Sequence, residues 1–167
     1  GIHSFTIIGS YGTGKSCFLL ALEKDLQSKG QHHLINPQTL SSCKKYEVLK
    51  IVGDYKDLAS LMRNKLAIDG TADNVLDELR NRYNQAKKRG SFLIIFIDEF
   101  GKVLEHAAKN DPEQELYFMQ KIAEFVNVPN RQILLVTTLH QNFSAYARKL
   151  STVQKEEWNK VKGRFKE

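Results

Sequence analysis

The chain has 167 residues, of which 41% are apolar and 26% are charged, and its formal net charge at pH 7 is +6. This composition predicts one folded domain with a hydrophobic core and argues against an extended disordered chain. The longest apolar run, at residues 92–97, is too short to cross a bilayer, so no membrane contact is expected. The positive charge allows contact with nucleic acid, although charge alone identifies no partner.

Features that bear on location point to the cytoplasm. Two cysteines, Cys17 and Cys43, are not spaced as in a disulfide framework or a zinc site, so we expect free thiols in a reducing compartment. No signal-peptide pattern opens the chain, since residues 1–3 run directly into the first expected strand. That start predicts a single domain, residues 1–167, taken from a longer protein.

Hydrophobic patterning predicts strands that alternate with helices. A short strand at residues 5–8 precedes a glycine-rich stretch, and an amphipathic helix follows at residues 17–28. The later expected elements are strands at 32–36 and 46–52, helices at 55–67 and 72–89, a strand at 92–97, a helix at 112–126, a strand at 133–138 and a helical remainder. This alternation indicates an α/β fold with a parallel sheet.

The glycine-rich stretch GSYGTGKS, residues 9–16, matches the pattern G-x-x-x-x-G-K-[ST] of a phosphate-binding loop. Glycines let successive N–H groups point at phosphates, and the N-terminus of the following helix favours an anion. Lys15 is expected to reach the β- and γ-phosphates, and the Ser16 hydroxyl to bind Mg²⁺. The residues predicted to contact the nucleotide are Gly9, Ser10, Tyr11, Gly12, Thr13, Gly14, Lys15, Ser16 and Cys17. Cys17 is also expected to pack as a small core residue.

An acidic pair, Asp98-Glu99, ends the apolar run at 92–97. Carboxylates at the carboxyl end of a central strand lie where open α/β sheets bind ligands. Asp98 is the expected magnesium ligand, and Glu99 is the expected general base that polarises the attacking water. The alternative is that the pair forms the acidic start of a helix, and both readings can hold together.

The stretches GSYGTGKS, LIIFIDEF and ILLVTTLHQ together resemble the P-loop NTPases that contain AAA+ and STAND ATPases. The resemblance implies a three-layer α/β/α fold, with a parallel β-sheet flanked by helices on both faces. It also implies that the strand at 133–138 lies between the two motif strands, with Thr137 or Thr138 near the γ-phosphate. The alternative is that both threonines only finish a β-branched strand. Leu139 stands where STAND proteins have arginine, so the candidates for that polar role are His140, Gln141 and Asn142.

Near the end of the chain, Gly163-Arg164-Phe165 resembles the G-R-F segment of AAA-type ATPases. The resemblance implies that Arg164 contacts the γ-phosphate bound by a neighbouring subunit. A plain solvated arginine in a basic tail is the alternative, and Arg131 is a weaker candidate. In the family a further strand and a helical lid follow this segment, so we expect a core without its lid that associates with itself or with other domains.

We therefore predict a magnesium-dependent ATP-binding and ATP-hydrolysing domain that drives or switches a larger assembly, with Lys15, Glu99, Thr138 and Arg164 as its catalytic residues. ATP is preferred to GTP because no N-K-x-D guanine-reading motif is present. The alternatives are a slow nucleotide-state switch, a DNA-associated motor and, less favoured, a P-loop kinase.

Overall fold

A sheet of four parallel strands forms the centre of the computed structural model, which describes residues 2–31, 34 and 45–167. The strands are β1 (Ser4–Ile8), β2 (Lys45–Val52), β3 (Ser91–Asp98) and β4 (Ile133–Leu139), and they lie in the order β1-β4-β3-β2. Thr137 of β4 lies opposite Thr6 on one side and Ile97 on the other. The expected place of the strand at 133–138, between the two motif strands, is confirmed.

Helices connect these strands. They are α1 (Lys15–Gln27), α2 (Leu58–Leu66), α3 (Ala72–Lys88), α4 (Phe100–Lys109), α5 (Pro112–Val126) and α6 (Thr152–Lys162), with a 3₁₀ helix at Phe143–Ala147. The strand expected at residues 32–36 lies, except for Leu34, outside the described residues. Within the part of the chain that the structure describes, no helix combines the length and the apolar character needed to cross a bilayer.

Side-chain caps set several of the helix starts. The Asp57 carboxylate accepts a hydrogen bond from the Ser60 N–H at 2.7 Å, so α2 begins three residues later than the apolar pattern suggests. Asp111 caps α5 and Pro112 occupies its first turn, as expected for a residue that lacks an N–H. Ser151 and Gln154 form a reciprocal capping box at the start of α6.

Both faces of the sheet are covered, which explains the uninterrupted apolar sequence of β3. Leu93, Ile95 and Ile97 pack into the larger core together with residues from α2 to α6. Ile94 and Phe96 point to the opposite face, where they pack with Leu19 and Leu26 of α1 in the smaller core. The three-layer α/β/α fold is thereby confirmed.

The last residues of the chain return to β1. Lys166 exchanges backbone hydrogen bonds with Ser4 and Thr6 at 2.9 and 2.8 Å, next to the beginning of that strand. Trp158 of α6 is fully buried, and its indole N–H donates to the Phe143 carbonyl at 2.9 Å. This tryptophan therefore fixes α6 against the 3₁₀ helix.

Trp158→Ala is expected to lower the free energy of unfolding by about 3–5 kcal/mol, because it leaves a large cavity and an unpaired buried carbonyl. Urea unfolding followed by far-ultraviolet circular dichroism measures the change. Val153→Ala is the matched control on the same helix, since Val153 is 68% exposed and its truncation is expected to cost less than about 0.5 kcal/mol. Equal effects of the two substitutions would contradict this account of α6.

Candidate functional site

The glycine-rich loop joins the end of β1 to the first residue of α1. Its Gly9 N–H donates to the Leu139 carbonyl at 3.0 Å, which ties the loop to the end of β4. Gly12 and Gly14 have φ angles of 76° and 83°, a left-handed region that strains any other residue type. The backbone conformation of the loop thus depends on Gly14, which the motif fixes, and on Gly12, which stands at a variable position of the motif.

Positive charge collects at the start of α1. The first N–H groups of a helix have no partner within the helix, and no acidic side chain lies in the first turn of α1. The Lys15 ammonium donates to the carbonyl oxygens of Gly9 and Ser10 at 2.6 and 2.8 Å, so it lies directly over the loop. Ser16 and Cys17 follow on the same turn and are both exposed. The expectation that Cys17 packs in the core is wrong, because this turn faces outward.

Asp98, Glu99 and Thr138 form one hydrogen-bonded group at the carboxyl ends of β3 and β4. The Thr138 hydroxyl donates to Asp98 Oδ1 at 2.6 Å, and the Glu99 N–H lies 2.9 Å from both Asp98 Oδ1 and Thr138 Oγ1. Thr137 of β4 instead pairs with Thr6 of β1, and the two hydroxyl oxygens lie 2.9 Å apart. Of the two threonines considered from the sequence, the fold places Thr138 beside the acidic pair.

Glu99 has an unusual backbone conformation for a residue with a side chain. Its φ and ψ are 52° and 36°, a left-handed conformation that costs about 1–3 kcal/mol and tends to occur at functional sites. The neighbouring Gly53 N–H donates to the Asp98 carbonyl at 2.7 Å, and a Cβ at position 53 would lie 2.3 Å from the Glu99 carbonyl oxygen. Residue 53 must therefore be glycine for the chain that follows β2 to pass this close. Sequence reasoning gave Gly53 no role.

These groups line a pocket of about 340 Å³. The lining residues are Tyr11, Gly12, Gly14, Lys15, Ser16, Cys17, Asp98, Glu99, Lys102, Thr138, Leu139 and His140. Both sequence motifs and Thr138 thus come together in one place. His140, one of the candidates for the polar role after β4, also lines the pocket, as does Lys102, to which sequence reasoning gave no role.

Arg164 and Arg131, the two arginines considered from the sequence, lie away from this pocket. The Arg164 guanidinium donates to Glu124 Oε1 at 2.9 Å, and its carbonyl accepts from the Asn127 amide. The same Asn127 accepts from the His3 N–H at 2.7 Å, which places Arg164 beside the beginning of β1, opposite to the loop end. Arg131 donates to the Phe125 carbonyl at 2.6 Å. A contact between Arg164 and a neighbouring subunit's nucleotide stays a prediction.

His140 forms a wall of the pocket. Its ring stacks on Tyr11, with centroids 4.6 Å apart and an interplanar angle of 24°, and its Nδ1 lies 3.2 Å from the Tyr146 hydroxyl. Burial is the main cause that raises the pKa of Tyr146 to about 12, so this hydroxyl stays neutral. A Cβ at Gly101 would lie 2.4 Å from the same hydroxyl oxygen. The histidine is therefore held between the glycine-rich loop and the first turn of α4.

Lys102 lies one turn after Glu99, and its ammonium pairs with the Glu99 carboxylate. The i, i+3 spacing of opposite charges is readable from the sequence, but only once a helix is known to begin at this point. Glu99 occupies the N-cap position of α4 without a side-chain capping bond. The acidic pair therefore does stand at the start of a helix, as the alternative reading expected. The Glu99 carboxylate, however, binds Lys102 and does not cap the helix N-terminus.

The residues present fit a magnesium ion that is bound together with phosphate. Ser16 and Asp98 line the same pocket and supply the hydroxyl and carboxylate oxygens that Mg²⁺ prefers. Among the described residues no group of three or more His, Cys, Asp and Glu side chains could hold a metal by itself. Magnesium in nucleotide sites is typically held by one or two protein oxygens and the substrate phosphates, which agrees with this donor set.

Comparison with solved structures supports the fold. The chain is similar to the ORC2 protein of Aeropyrum pernix in its ADPNP-ADP complexes, with a TM-score of 0.60 and 15% identity over 99% of this chain and 41% of that one. It is also similar to Cdc6p of Pyrobaculum aerophilum, with a TM-score of 0.50 and 14% identity over 95% of this chain and 37% of that one. The chain thus spans less than half the length of either protein. No curated protein sequence matches it significantly.

Comparison with protein families gives the assignment. Residues 5–158 match the family described as "ATPase family associated with various cellular activities (AAA)". The matched range contains the glycine-rich loop, the acidic pair and Thr138, and it ends before Arg164. The match covers most of the chain, and the fold and the pocket agree with it. The chain therefore belongs to the AAA family and is a P-loop ATPase.

Proposed function

We propose that this chain is the magnesium-dependent ATP-binding and ATP-hydrolysing core of a larger assembly, which it drives or switches. The observation that carries the proposal is the single pocket in which Lys15, Ser16, Asp98, Glu99 and Thr138 come together. Cleavage of a phosphoanhydride needs positioning and charge stabilisation more than covalent chemistry, and these residues supply both.

Each residue has a role that follows from its place. The loop amides and Lys15 hold the β- and γ-phosphates, while Ser16 and Asp98 hold the magnesium ion. When bound, the ion supplies charge neutralisation on the phosphate oxygens. Glu99 orients the attacking water and accepts its proton. Thr138 holds the Asp98 carboxylate and the Glu99 peptide N–H in fixed positions, so it acts through these two neighbours.

We infer the larger assembly from the lengths of the similar chains and from the positions of the arginines. The similar ORC2 and Cdc6p chains are more than twice as long, and the ORC2 structure contains nucleotides. None of the arginines in the described ranges lines the pocket, so an arginine that stabilises the transition state must come from outside it. We propose that Arg164 of a neighbouring copy supplies this charge. Contact with nucleic acid and a cytoplasmic location stay predictions.

A slow nucleotide-state switch is the second candidate function, and one observation favours it. The carboxylate of Glu99 is paired with the ammonium of Lys102. A carboxylate that is bound to an ammonium is not free to orient a water molecule, so turnover has to wait until the pair opens. A fast motor and a slow switch thus differ in how readily this pair opens.

Lys15→Ala is expected to weaken magnesium-ATP binding by about 10- to 100-fold, because hydrogen bonds to charged phosphate oxygens are lost. Isothermal titration calorimetry measures the affinity. Lys24→Ala is the matched control, since Lys24 is exposed on the same helix outside the pocket. Unchanged affinity of the Lys15 variant would contradict the phosphate-binding role of the loop.

Glu99→Gln is expected to retain ATP affinity within about threefold and to lower turnover by about 10²–10⁴, because the amide cannot accept a proton. Phosphate release measures turnover, and calorimetry measures affinity. Glu156→Gln, at an exposed position of α6, controls for the loss of one negative charge. If the Glu99 variant turns over like the wild type, the general base is a different residue.

Arg164→Ala is expected to abolish any rise of specific activity with protein concentration, since an arginine supplied by a neighbour is worth about 10³–10⁵ in rate. Arg80→Ala, at an exposed position of α3, is the control. A mixture of the Arg164→Ala and Glu99→Gln variants should regain activity, because some interfaces then contain both intact residues. A mixture no more active than the sum of its parts would contradict the proposed contact between subunits.

A further inference from the structure

Lys102 is a second lysine in the nucleotide pocket, besides Lys15. It lies in the first turn of α4 and lines the pocket together with Asp98 and Glu99. Its ammonium pairs with the Glu99 carboxylate, and the two side chains are 32% and 44% exposed. An exposed pair at i, i+3 spacing is weak and is readily exchanged for a better partner.

The surroundings of Lys102 keep it charged. Its hydrogen bond to Glu99 raises its pKa, and the charge of Glu99 and the neighbouring Tyr55 and Asp54 raise it further. The lysine is therefore a full positive charge at neutral pH, on the wall of a pocket whose other ammonium, that of Lys15, is held by the carbonyl oxygens of Gly9 and Ser10.

Glu99 is fixed in its backbone but free to change its side-chain partner. Its N–H is bonded to Asp98 and Thr138, and Gly53 packs against its carbonyl. Its carboxylate does not cap α4 and is held by Lys102 instead. If Lys102 moved away from this carboxylate, the backbone of Glu99 would stay in place. Its carboxylate would then be free to orient water.

A bound triphosphate competes for the same ammonium. In the proposed function the phosphates bind at the loop and the start of α1, and Lys102 lines the same pocket as Gly14, Lys15 and Ser16. A terminal phosphate carries more negative charge than one carboxylate and offers several acceptor oxygens. ADP lacks that phosphate, so it leaves the pair between Lys102 and Glu99 undisturbed.

We propose that Lys102 is a second phosphate-reading cation, which leaves the Glu99 carboxylate for the terminal phosphate of ATP and thereby frees Glu99 to orient the attacking water. This inference rests on the proposed ATP-hydrolysing function. It couples recognition of the triphosphate to release of the base within one chain, so the base is restrained until the correct nucleotide is present.

The test compares Lys102→Met with Lys102→Arg, and with Lys109→Met as the matched control. Lys109 lies at the other end of α4, is exposed and does not line the pocket. Affinities for ADP and for the non-hydrolysable triphosphate ADPNP are measured by calorimetry, and turnover by phosphate release. Circular dichroism checks that each variant is folded.

Lys102→Met is expected to weaken ADPNP binding by about tenfold, as for a lost hydrogen bond between charged groups, and ADP binding by less than about twofold. At sub-saturating ATP its turnover should fall by a similar factor, because less ATP is bound, while Lys102→Arg keeps most of the ADPNP preference and activity because it keeps the charge. Equal losses for ADP and ADPNP, or none for either, would overturn the proposal. Faster turnover with unchanged ADPNP affinity would also overturn it, since Lys102 would then only restrain Glu99.

Failure of the inference can be told apart from failure of the proposed function. If the wild type binds ATP and hydrolyses it but Lys102→Met behaves like Lys109→Met, only the role of Lys102 is wrong. If the wild type does not bind ATP, or if Lys15→Ala binds it equally well, the proposed function itself is wrong.

Discussion

Because β4 lies between β1 and β3, its last two residues hold both halves of the candidate site. The Leu139 carbonyl accepts from the Gly9 N–H at 3.0 Å, and the Thr138 hydroxyl donates to Asp98 at 2.6 Å. The glycine-rich loop and the acidic pair are therefore fixed to one strand end, although about 90 residues of chain separate them. The contacts between the two motifs depend on this strand order, since parallel strands bring their carboxyl ends to one edge.

Most of the described elements and the two motifs were readable from the sequence because they depend on local patterns, whereas α4 was considered only as an alternative reading of the acidic pair. The apolar run of β3 follows from burial on both faces, and the loop follows from its glycines and its lysine. The choice between Thr137 and Thr138 was not readable, because alternation along a strand assigns two faces without saying which one meets the site. Only the folded sheet shows that Thr137 pairs with Thr6 and that Thr138 lies beside the acidic pair.

Other features depend on tertiary contacts that no local pattern encodes. Gly53 is required by the carbonyl of Glu99, which lies between β3 and α4, about 45 residues further along the chain. The partner of Lys102 depends on α4 beginning directly after the left-handed Glu99. Arg164 was assigned a role by resemblance, and the fold places it beside the beginning of β1, where it pairs with Glu124. This position is compatible with a role at an interface. In the pocket of its own chain, the lysines Lys15 and Lys102 supply the positive charge.

The aromatic packing behind α4 gives the protein a built-in optical probe. Trp158 is the single tryptophan of the chain, and Phe143 lies between it and Phe100, with ring centroids 5.5 and 6.4 Å away. Phe100 is the first residue of α4 and directly follows Glu99. One ring thus separates the only indole from the helix that begins directly after Glu99 and carries Lys102. Any tilt of α4 that accompanies nucleotide exchange repacks that ring and alters the emission of a fluorophore that needs no label.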